Sequence, residues 1–471
     1  MIYIMNSCSA AERFFSELVN NNKKVAFLGT GVSHRECIKL FASKGIDVTL
    51  CDKRTRKQLG EEICGEMDAL GVKLKLGENY LHDIDADIIF RTPGIRFFIS
   101  ELNELRRQGK VVTSELEVFF ELCPCKKIAV TGSDGKTTTT TLISEILKAN
   151  GKTVHLGGNI GRALLPIIET VQPDDFAVVE LSSFQLISMR QSPDIAVVTN
   201  LAPNHLDMHK DMQEYIDAKK NIYQHQNAFS KTILNLDNEI TRSMADECRG
   251  DVRYFTRQQV PYNGSFLNEN NVLCMSDHGK VTEVVKAEDI RIPGIHNVEN
   301  FLTAIAAVWG LASVESIADI ARNFGGVEHR IEFVREKDGV KWYNDSIASS
   351  PTRTIAGLKS FNQKIIVIAG GYDKKIPYEP LAPYLIEKSK CVVLMGATAP
   401  KIEAAVKNHP DYKEGHPKFL YADSMEDAVK KAQDEAVEGD IVSLSPASAS
   451  FDLYRNFEER GRHFKNIVNN L

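Results

Sequence analysis

Apolar runs of three to five residues alternate along this chain with stretches whose apolar positions recur every three to four residues, the pattern of buried strands joined by amphipathic helices. The opening part reads as a strand over 25–28, a helix through residue 40, and strands over 47–50, 86–90 and 111–112. A helix over 115–122 leads to the strand Ile128-Ala129-Val130, with further strands expected over 176–179 and 195–200. A helix over 212–228, short strands including 233–235 and 272–275 that suggest a small β appendage, and a helix over 301–311 follow. The last part opens on a hairpin, 333–334 against 340–343, turned at Asp338-Gly339. A helix from Pro351 and strands over 365–369, 391–395 and 441–444 complete it. Strands alternating with helices predict an α/β fold. We expect three domains: a Rossmann-like one over 1–112, a central P-loop-type ATPase domain with a mostly parallel sheet over 113–326, and a second Rossmann-like one over 327–471. The length, 471 residues, agrees with about three domains.

The turns between these elements carry the chemistry. Thr131-Gly132-Ser133-Asp134-Gly135-Lys136-Thr137-Thr138 links the strand at 128–130 to a helix expected to open at Thr139. A strand that turns through glycines into a helix aims backbone N–H groups and the positive end of the helix dipole at one point, which suits a phosphate. Lys136 adds a mobile cation for the outer phosphates, and Thr137 a hydroxyl where P-loops hold Mg²⁺. Val130 stands where the general motif has its first glycine, so this is a shortened variant. In a parallel sheet the strand C-termini share one edge, so Glu180, the Thr199-Asn200 end and His205 should converge on the phosphates. Glu180 is then the carboxylate that holds a metal.

A second turn, Gly29-Thr30-Gly31-Val32-Ser33, with Asp52 ending the next strand, has the spacing of a nucleotide site, although His34 stands at the third glycine of the dinucleotide fingerprint. Strand-end loops at 370–375, 396–398 and 445–452 are further ligand-binding positions. From spacing, Lys219-Lys220 reads as a solvated helix face. Asn300 reads either as a helix cap or as an amide that contacts a base edge.

Composition narrows the class. The 43% apolar and 25% charged fractions are those of a globular protein. A net charge of -6 argues against nucleic acid as the partner. No apolar run approaches the roughly 18 residues of a membrane span, and residues 1–16 lack a secretory plan. Nine scattered cysteines read as reduced thiols of a cytoplasmic protein, with Cys123-Pro124-Cys125 structural.

Several motifs, taken in order, resemble the Mur ligases over essentially the whole length. They are the 131–138 turn, Gly158-Asn159-Ile160-Gly161, Glu180-Leu181-Ser182-Ser183-Phe184-Gln185, Asn204-His205-Leu206-Asp207, His296-Asn297 with Asn300, His329-Arg330, Asn344-Asp345-Ser346, the run 444–450 and Asn456-Phe457-Glu458-Glu459-Arg460-Gly461. The resemblance implies an ATP-dependent ligase of peptidoglycan precursor synthesis, adding D-glutamate to UDP-N-acetylmuramoyl-L-alanine through an acyl phosphate. The alternatives are an amide ligase of this type with another amino acid or a folate acceptor, and a nucleotide-binding protein without ligation.

It further implies that Gly29 to Ser33, Asp52 and the loop Thr92-Pro93-Gly94 hold the UDP substrate. Gly132 to Thr138, Asn300, Arg330 and Asp345 would surround ATP, and Asn159 and His205 the reacting carboxyl. Two Mg²⁺ ions are implied, with Thr137, Glu180, His205 and a carbamylated Lys219 around them; this gives Lys219 a role that its spacing did not. Lys374, Ser450 and Phe457 would form the D-glutamate pocket, in a monomer. Two departures stand out. Ile347 replaces a lysine common in the family, leaving Arg353 and Lys375 as candidates for its task, and Asn204 replaces a common acid.

Overall fold

A computed structural model describes residues 9–202 and 209–471. His205 and Asn204 therefore lie outside the described residues.

Among the described residues, three sheets organise the fold. The first is parallel, in the order β3-β2-β1-β4-β5, from β1 (Lys24–Leu28), β2 (Asp47–Asp52), β3 (Lys73–Leu76), β4 (Ile88–Arg91) and β5 (Val111–Thr113). The second has nine strands, in the order β14-β13-β12-β11-β10-β9-β6-β8-β7. They are β6 (Lys126–Thr131), β7 (Val154–Gly158), β8 (Phe176–Glu180), β9 (Ile195–Val198), β10 (Lys231–Asn235), β11 (Asp251–Thr256), β12 (Gly264–Leu267), β13 (Val272–Asp277) and β14 (Lys280–Lys286). Pairing is parallel from β7 through to β12 and turns antiparallel between β12 and β13. Residues 231–286 thus extend the central sheet and form no separate appendage, because β10 pairs in register with the buried strand β9, Ile233 opposite Val197.

The third sheet, in the order β15-β16-β20-β17-β18-β19, contains β15 (Glu332–Lys337), β16 (Val340–Asn344), β17 (Ile365–Gly370), β18 (Ser389–Met395), β19 (Lys418–Ala422) and β20 (Ile441–Leu444). Its hairpin turns at Asp338 and Gly339, whose φ values of 52° and 73° are those of a type I′ turn, the one that matches strand twist.

The chain forms two compact units, residues 1–285 with 299–320, and 286–298 with 321–471. Within the first unit, the first two sheets share one core. Phe15, Phe27, Phe41 and Phe90 pack edge-on or stacked, and the same cluster runs through Leu116 and Phe119 to Leu164, Ala177 and Leu181. Cys123 and Cys125 are buried in it with their sulfurs 3.4 Å apart.

Several element ends differ from expectation. The helix after the glycine turn spans Lys136–Ala149 and so opens three residues before Thr139. Gly135 serves as its N-cap in the left-handed region, and the threonines that disfavour a helix turn their hydroxyls back, Thr140 to Lys136 O at 2.7 Å and Thr141 to Thr137 O at 2.8 Å. The helix near Asn300 spans Ile295–Val308, and the one carrying Lys219 spans Met212–Gln224. Among the described residues, no helix is long and apolar enough to cross a membrane.

Candidate active site

The site is assembled where β6, β8 and β9 end. Register places Val130 opposite Glu180 and Thr131 opposite Val198, so the glycine turn leaves the sheet between the ends of its two neighbours. Asn200 holds that turn: Ser133 N donates to its carbonyl and Asp134 N to its Oδ1, both at 2.8 Å. The Thr199 hydroxyl donates to Asp134 O. The Thr199-Asn200 end therefore meets the phosphate-type turn as expected, in the capacity of a brace.

Lys136, at the first helical position, donates to Gly132 O and Ser133 O at 2.9 Å. Lys219 does not lie on a solvated face; it is 2% exposed, and its ammonium donates to the same Gly132 carbonyl at 2.8 Å and to Thr131 Oγ1 at 3.1 Å. The Tyr215 ring lies 4.8 Å away, and the Tyr215 hydroxyl bonds Ser133 Oγ at 3.0 Å. Burial, then the neighbouring Lys136 charge, pushes the Lys219 amine well below the ordinary lysine range, against the opposing pull of Glu180 and Asp134. Its sequence neighbour Lys220 is the surface residue of the pair, bound to Glu247 at 2.6 Å.

Glu180 is 1% exposed. Its Oε1 accepts from Asn159 Nδ2 at 2.7 Å, while its Oε2 is buried with no hydrogen-bond partner among the described residues. Asn159 N also donates to Glu180 O at 2.9 Å, so two hydrogen bonds tie the asparagine to this strand end. Beyond Glu180, Ser182 and Gln185 form a capping box that opens the short helix Ser183–Leu186. Ser183 Oγ and His209 Nε2 share a hydrogen bond of 2.8 Å, and His209 stacks on Phe184. Sequence reasoning placed Thr131 in the turn but missed Tyr215 and His209 as parts of this cluster. Tyr215 had a signal, since it precedes Lys219 by four positions on one helix face.

Asn300 lies inside its helix, so it is not the cap. Its Oδ1 accepts from Thr139 Oγ1 at 3.3 Å and stands 2.5 Å from where a Cβ on Gly135 would be, so the amide lies directly against the glycine turn.

In the first sheet, Gly29 (φ 86°) opens the turn to residue 33, and a Cβ there would meet Thr92 Cγ2 at 3.3 Å, which joins this turn to the Thr92-Pro93-Gly94 loop. Thr30 donates to Asp52 Oδ2 through both N and Oγ1, at 3.1 Å each. Arg54 forks onto both oxygens of the same carboxylate and holds it below the usual aspartate range, against the cost of burial. His34 is buried with Nδ1 3.0 Å from Gly29 O, and burial lowers its pKa to about 4. A neutral, bonded side chain there explains how the turn does without a third glycine.

In the second unit, Asp345 directly follows β16 and is 3% exposed; Oδ1 accepts from Ile331 N at 3.3 Å and Oδ2 is unpartnered among the described residues. Burial raises its pKa to about 8, with Arg330 and Arg353 pulling the other way. Arg353 Nη1 donates to Ile347 O at 3.2 Å, so of the two candidate cations this one adjoins position 347. Lys374 lies 5.8 Å from the Phe451 ring, Phe457 opens the last helix and accepts from Ser346 Oγ at 2.8 Å, and Ser450 is buried. Arg460 connects these segments, donating to Ser346 Oγ and O, Ser448 O and Ala449 O at 2.9–3.2 Å.

The first unit thus places two lysines, a half-satisfied carboxylate and an asparagine around one glycine turn at a helix N-terminus. Residues 130–308 match the Mur ligase middle domain, and residues 329–448 the Mur ligase, glutamate ligase domain. A UDP-N-acetylmuramoylalanine–D-glutamate ligase of Acetivibrio thermocellus is 53% identical, covering 96% of this chain and 97% of that one. A protein of the same name from Clostridium botulinum is 50% identical over 95% and 97%. The fold resembles that of a UDP-N-acetylmuramate–alanine ligase from Thermotoga maritima (TM-score 0.57, 18% identity, 95% of this chain and 99% of that one). It also resembles that of a pseudomurein peptide ligase type C from Methanothermus fervidus (TM-score 0.52, 20% identity, 95% and 99%). With relatives half identical over nearly its full length, the chain belongs to the Mur ligase family.

Proposed function

We infer that this chain is an ATP-dependent ligase that adds D-glutamate to UDP-N-acetylmuramoyl-L-alanine in peptidoglycan synthesis, the activity for which its relatives are named. The observation within the molecule that carries this reading is the gathering of Lys136, Lys219, Glu180 and Asn159 at the end of β6 and β8.

A carboxylate resists attack by an amine because it is anionic and would have to expel oxide. Transfer of the terminal phosphoryl group of ATP to the alanyl carboxylate forms an acyl phosphate and ADP. The neutral amine of D-glutamate then adds to the acyl carbon, and loss of inorganic phosphate and a proton leaves the amide. Two anions must meet in the first step. The backbone N–H groups of residues 135–138, at the helix N-terminus, and the Lys136 ammonium would bear the triphosphate's charge, and Asn159 would orient the alanyl carboxylate from its tether on Glu180. His205 is assigned by resemblance to the same carboxyl.

A divalent cation would fit beside Glu180, whose buried Oε2 has no donor among the described residues. Glu180 and Thr137 would hold Mg²⁺ there, and the ion would neutralise phosphate charge. Burial that lowers the Lys219 pKa favours the unprotonated amine, the form that takes up CO₂, and the resulting carbamate would place an anion opposite Lys136 and hold a second ion.

Asn300, Arg330 and Asp345 would contact the rest of ATP. The 29–33 turn, Asp52 and the 92–94 loop would take the UDP moiety, and Lys374, Ser450 and Phe457 the D-glutamate. On this reading the domains are 1–112, 113–326 and 327–471, and the enzyme is a cytoplasmic monomer. The test is ADP release by the purified chain. It should require UDP-N-acetylmuramoyl-L-alanine and D-glutamate together, and Lys136→Ala should abolish it while leaving binding of the UDP substrate intact. Faster ADP release with another amino acid or a folate acceptor, or undiminished turnover by Lys136→Ala, would overturn the reading.

A further inference from the structure

Arg91 is the last residue of β4 and one of the largest side chains that the fold buries completely. A guanidinium removed from water is costly unless its donors are satisfied and its charge is answered. Here Nε is buried with no hydrogen-bond partner among the described residues, and the two Nη groups are divided between two elements. Nη1 donates to Thr92 O at 3.3 Å and to Ile95 O at 2.7 Å, both in the loop that follows β4; Nη2 donates to Phe184 O at 2.9 Å and to Ser188 Oγ at 3.3 Å, in and just beyond the helix Ser183–Leu186. Ser188 Oγ in turn donates to Glu117 Oε2 at 3.0 Å, so the compensating carboxylate is reached through one hydroxyl. The Phe97 ring packs on the Arg91 guanidinium, 5.5 Å from its centroid, and Arg106 packs on the same ring at 4.2 Å. This rigid, branched cation spans a gap that apolar packing alone would leave adjustable.

The two elements it joins are those that would hold opposite ends of a long substrate. The 92–94 loop abuts the Gly29 turn, and the Ser183–Leu186 helix begins three residues after Glu180. We propose that Arg91 is a positioning residue: by bracing the loop at 92–95 against the helix after Glu180, it sets the distance between the UDP-binding turn and the phosphoryl-transfer centre. The proposal rests on the ligase reading above. A displacement of about 1 Å at a reacting group can cost on the order of a hundredfold in rate, so such a brace influences turnover through the elements it holds.

The test is steady-state kinetics of the full chain, with the UDP substrate, ATP and D-glutamate varied in turn. Arg91→Met keeps the stem and loses every hydrogen bond. Arg91→Lys keeps the charge but has no planar fork to reach both elements. Both should lower kcat/KM for UDP-N-acetylmuramoyl-L-alanine roughly tenfold to a hundredfold, with KM for ATP and D-glutamate unchanged within about twofold. An unchanged kcat/KM for the UDP substrate would overturn the proposal, as would a parallel rise in KM for ATP and D-glutamate, the mark of a merely structural role. Should Arg91→Met not fold, Ser188→Ala removes one anchor and should lower the same kcat/KM by about threefold; no fall there also overturns it. A native chain that does not turn over the UDP substrate sinks the ligase reading and this proposal with it, whereas a native chain that does, with indifferent variants, sinks only the role of Arg91.

Discussion

Gly135 and Gly151 lie at the two ends of the helix Lys136–Ala149 with nearly the same backbone, φ 77° and 76°, and so make a matched pair. Replacing either with alanine forces a Cβ into the left-handed region, at about 1–2 kcal/mol. There the likeness ends. A Cβ on Gly151 meets nothing within 4 Å, whereas on Gly135 it would stand 2.5 Å from Asn300 Oδ1, inside the 3.0 Å that real Cβ contacts essentially never breach. Asn300 is 6% exposed and bonded to Thr139, so the required retreat of at least 0.5 Å (3.0 less 2.5) moves a packed side chain or the turn itself. Gly151→Ala should therefore lower stability by about 1 kcal/mol and leave kinetics alone, while Gly135→Ala should in addition reduce kcat/KM for ATP about tenfold or more, about 1.4 kcal/mol of transition-state stabilisation. Thermal unfolding gives the first quantity and ADP release at varied ATP the second. Equal kinetics for the two variants would refute the claim that the turn's shape, rather than its glycine content, matters.

Asp345 supplies a pH test. Its folded pKa of about 8 lies above its ordinary 3.8, so the folded state holds a proton that the unfolded state has released. That stabilisation is fully present below the unfolded pKa and is lost as pH rises through the folded one, with a slope of about 1.4 kcal/mol per unit between them. Asp345→Asn, neutral at every pH, should gain Tm on the native chain from pH 5 to pH 8, and a constant gap would contradict the assignment. For Lys219, activity should fall in CO₂-depleted buffer and return with bicarbonate, and Lys219→Ala should be inactive but partly restored by short carboxylic acids; indifference to both treatments would exclude the carbamate.

What could be read in advance was whatever backbone geometry imposes. Consecutive apolar residues in β6, β8 and β9 require a buried parallel sheet, whose strand ends then bring Glu180 and Asn200 to the glycine turn. Asp338-Gly339 likewise implied its hairpin, since both residues tolerate positive φ. Side-chain fate was harder. Lys219 and Lys220 are adjacent and identical in type, yet one is buried against Thr131 and the other pairs with Glu247 at the surface, because consecutive helical positions point about 100° apart. The mixed strands of 231–286 looked independent, since only their pairing with β9 makes them part of a larger sheet. Arg91 gave no local sign at all; its four acceptors include two contributed from residues 184 and 188.

The aromatic cluster shared by the first two sheets bears on how this protein can be handled. A fragment ending near residue 112 would keep Phe15, Phe27, Phe41 and Phe90 but lose Leu116, Phe119 and Leu164, leaving a sticky flank where the native chain has interior. Anyone wishing to excise the first sheet as a separate fragment should carry the cut past the second sheet.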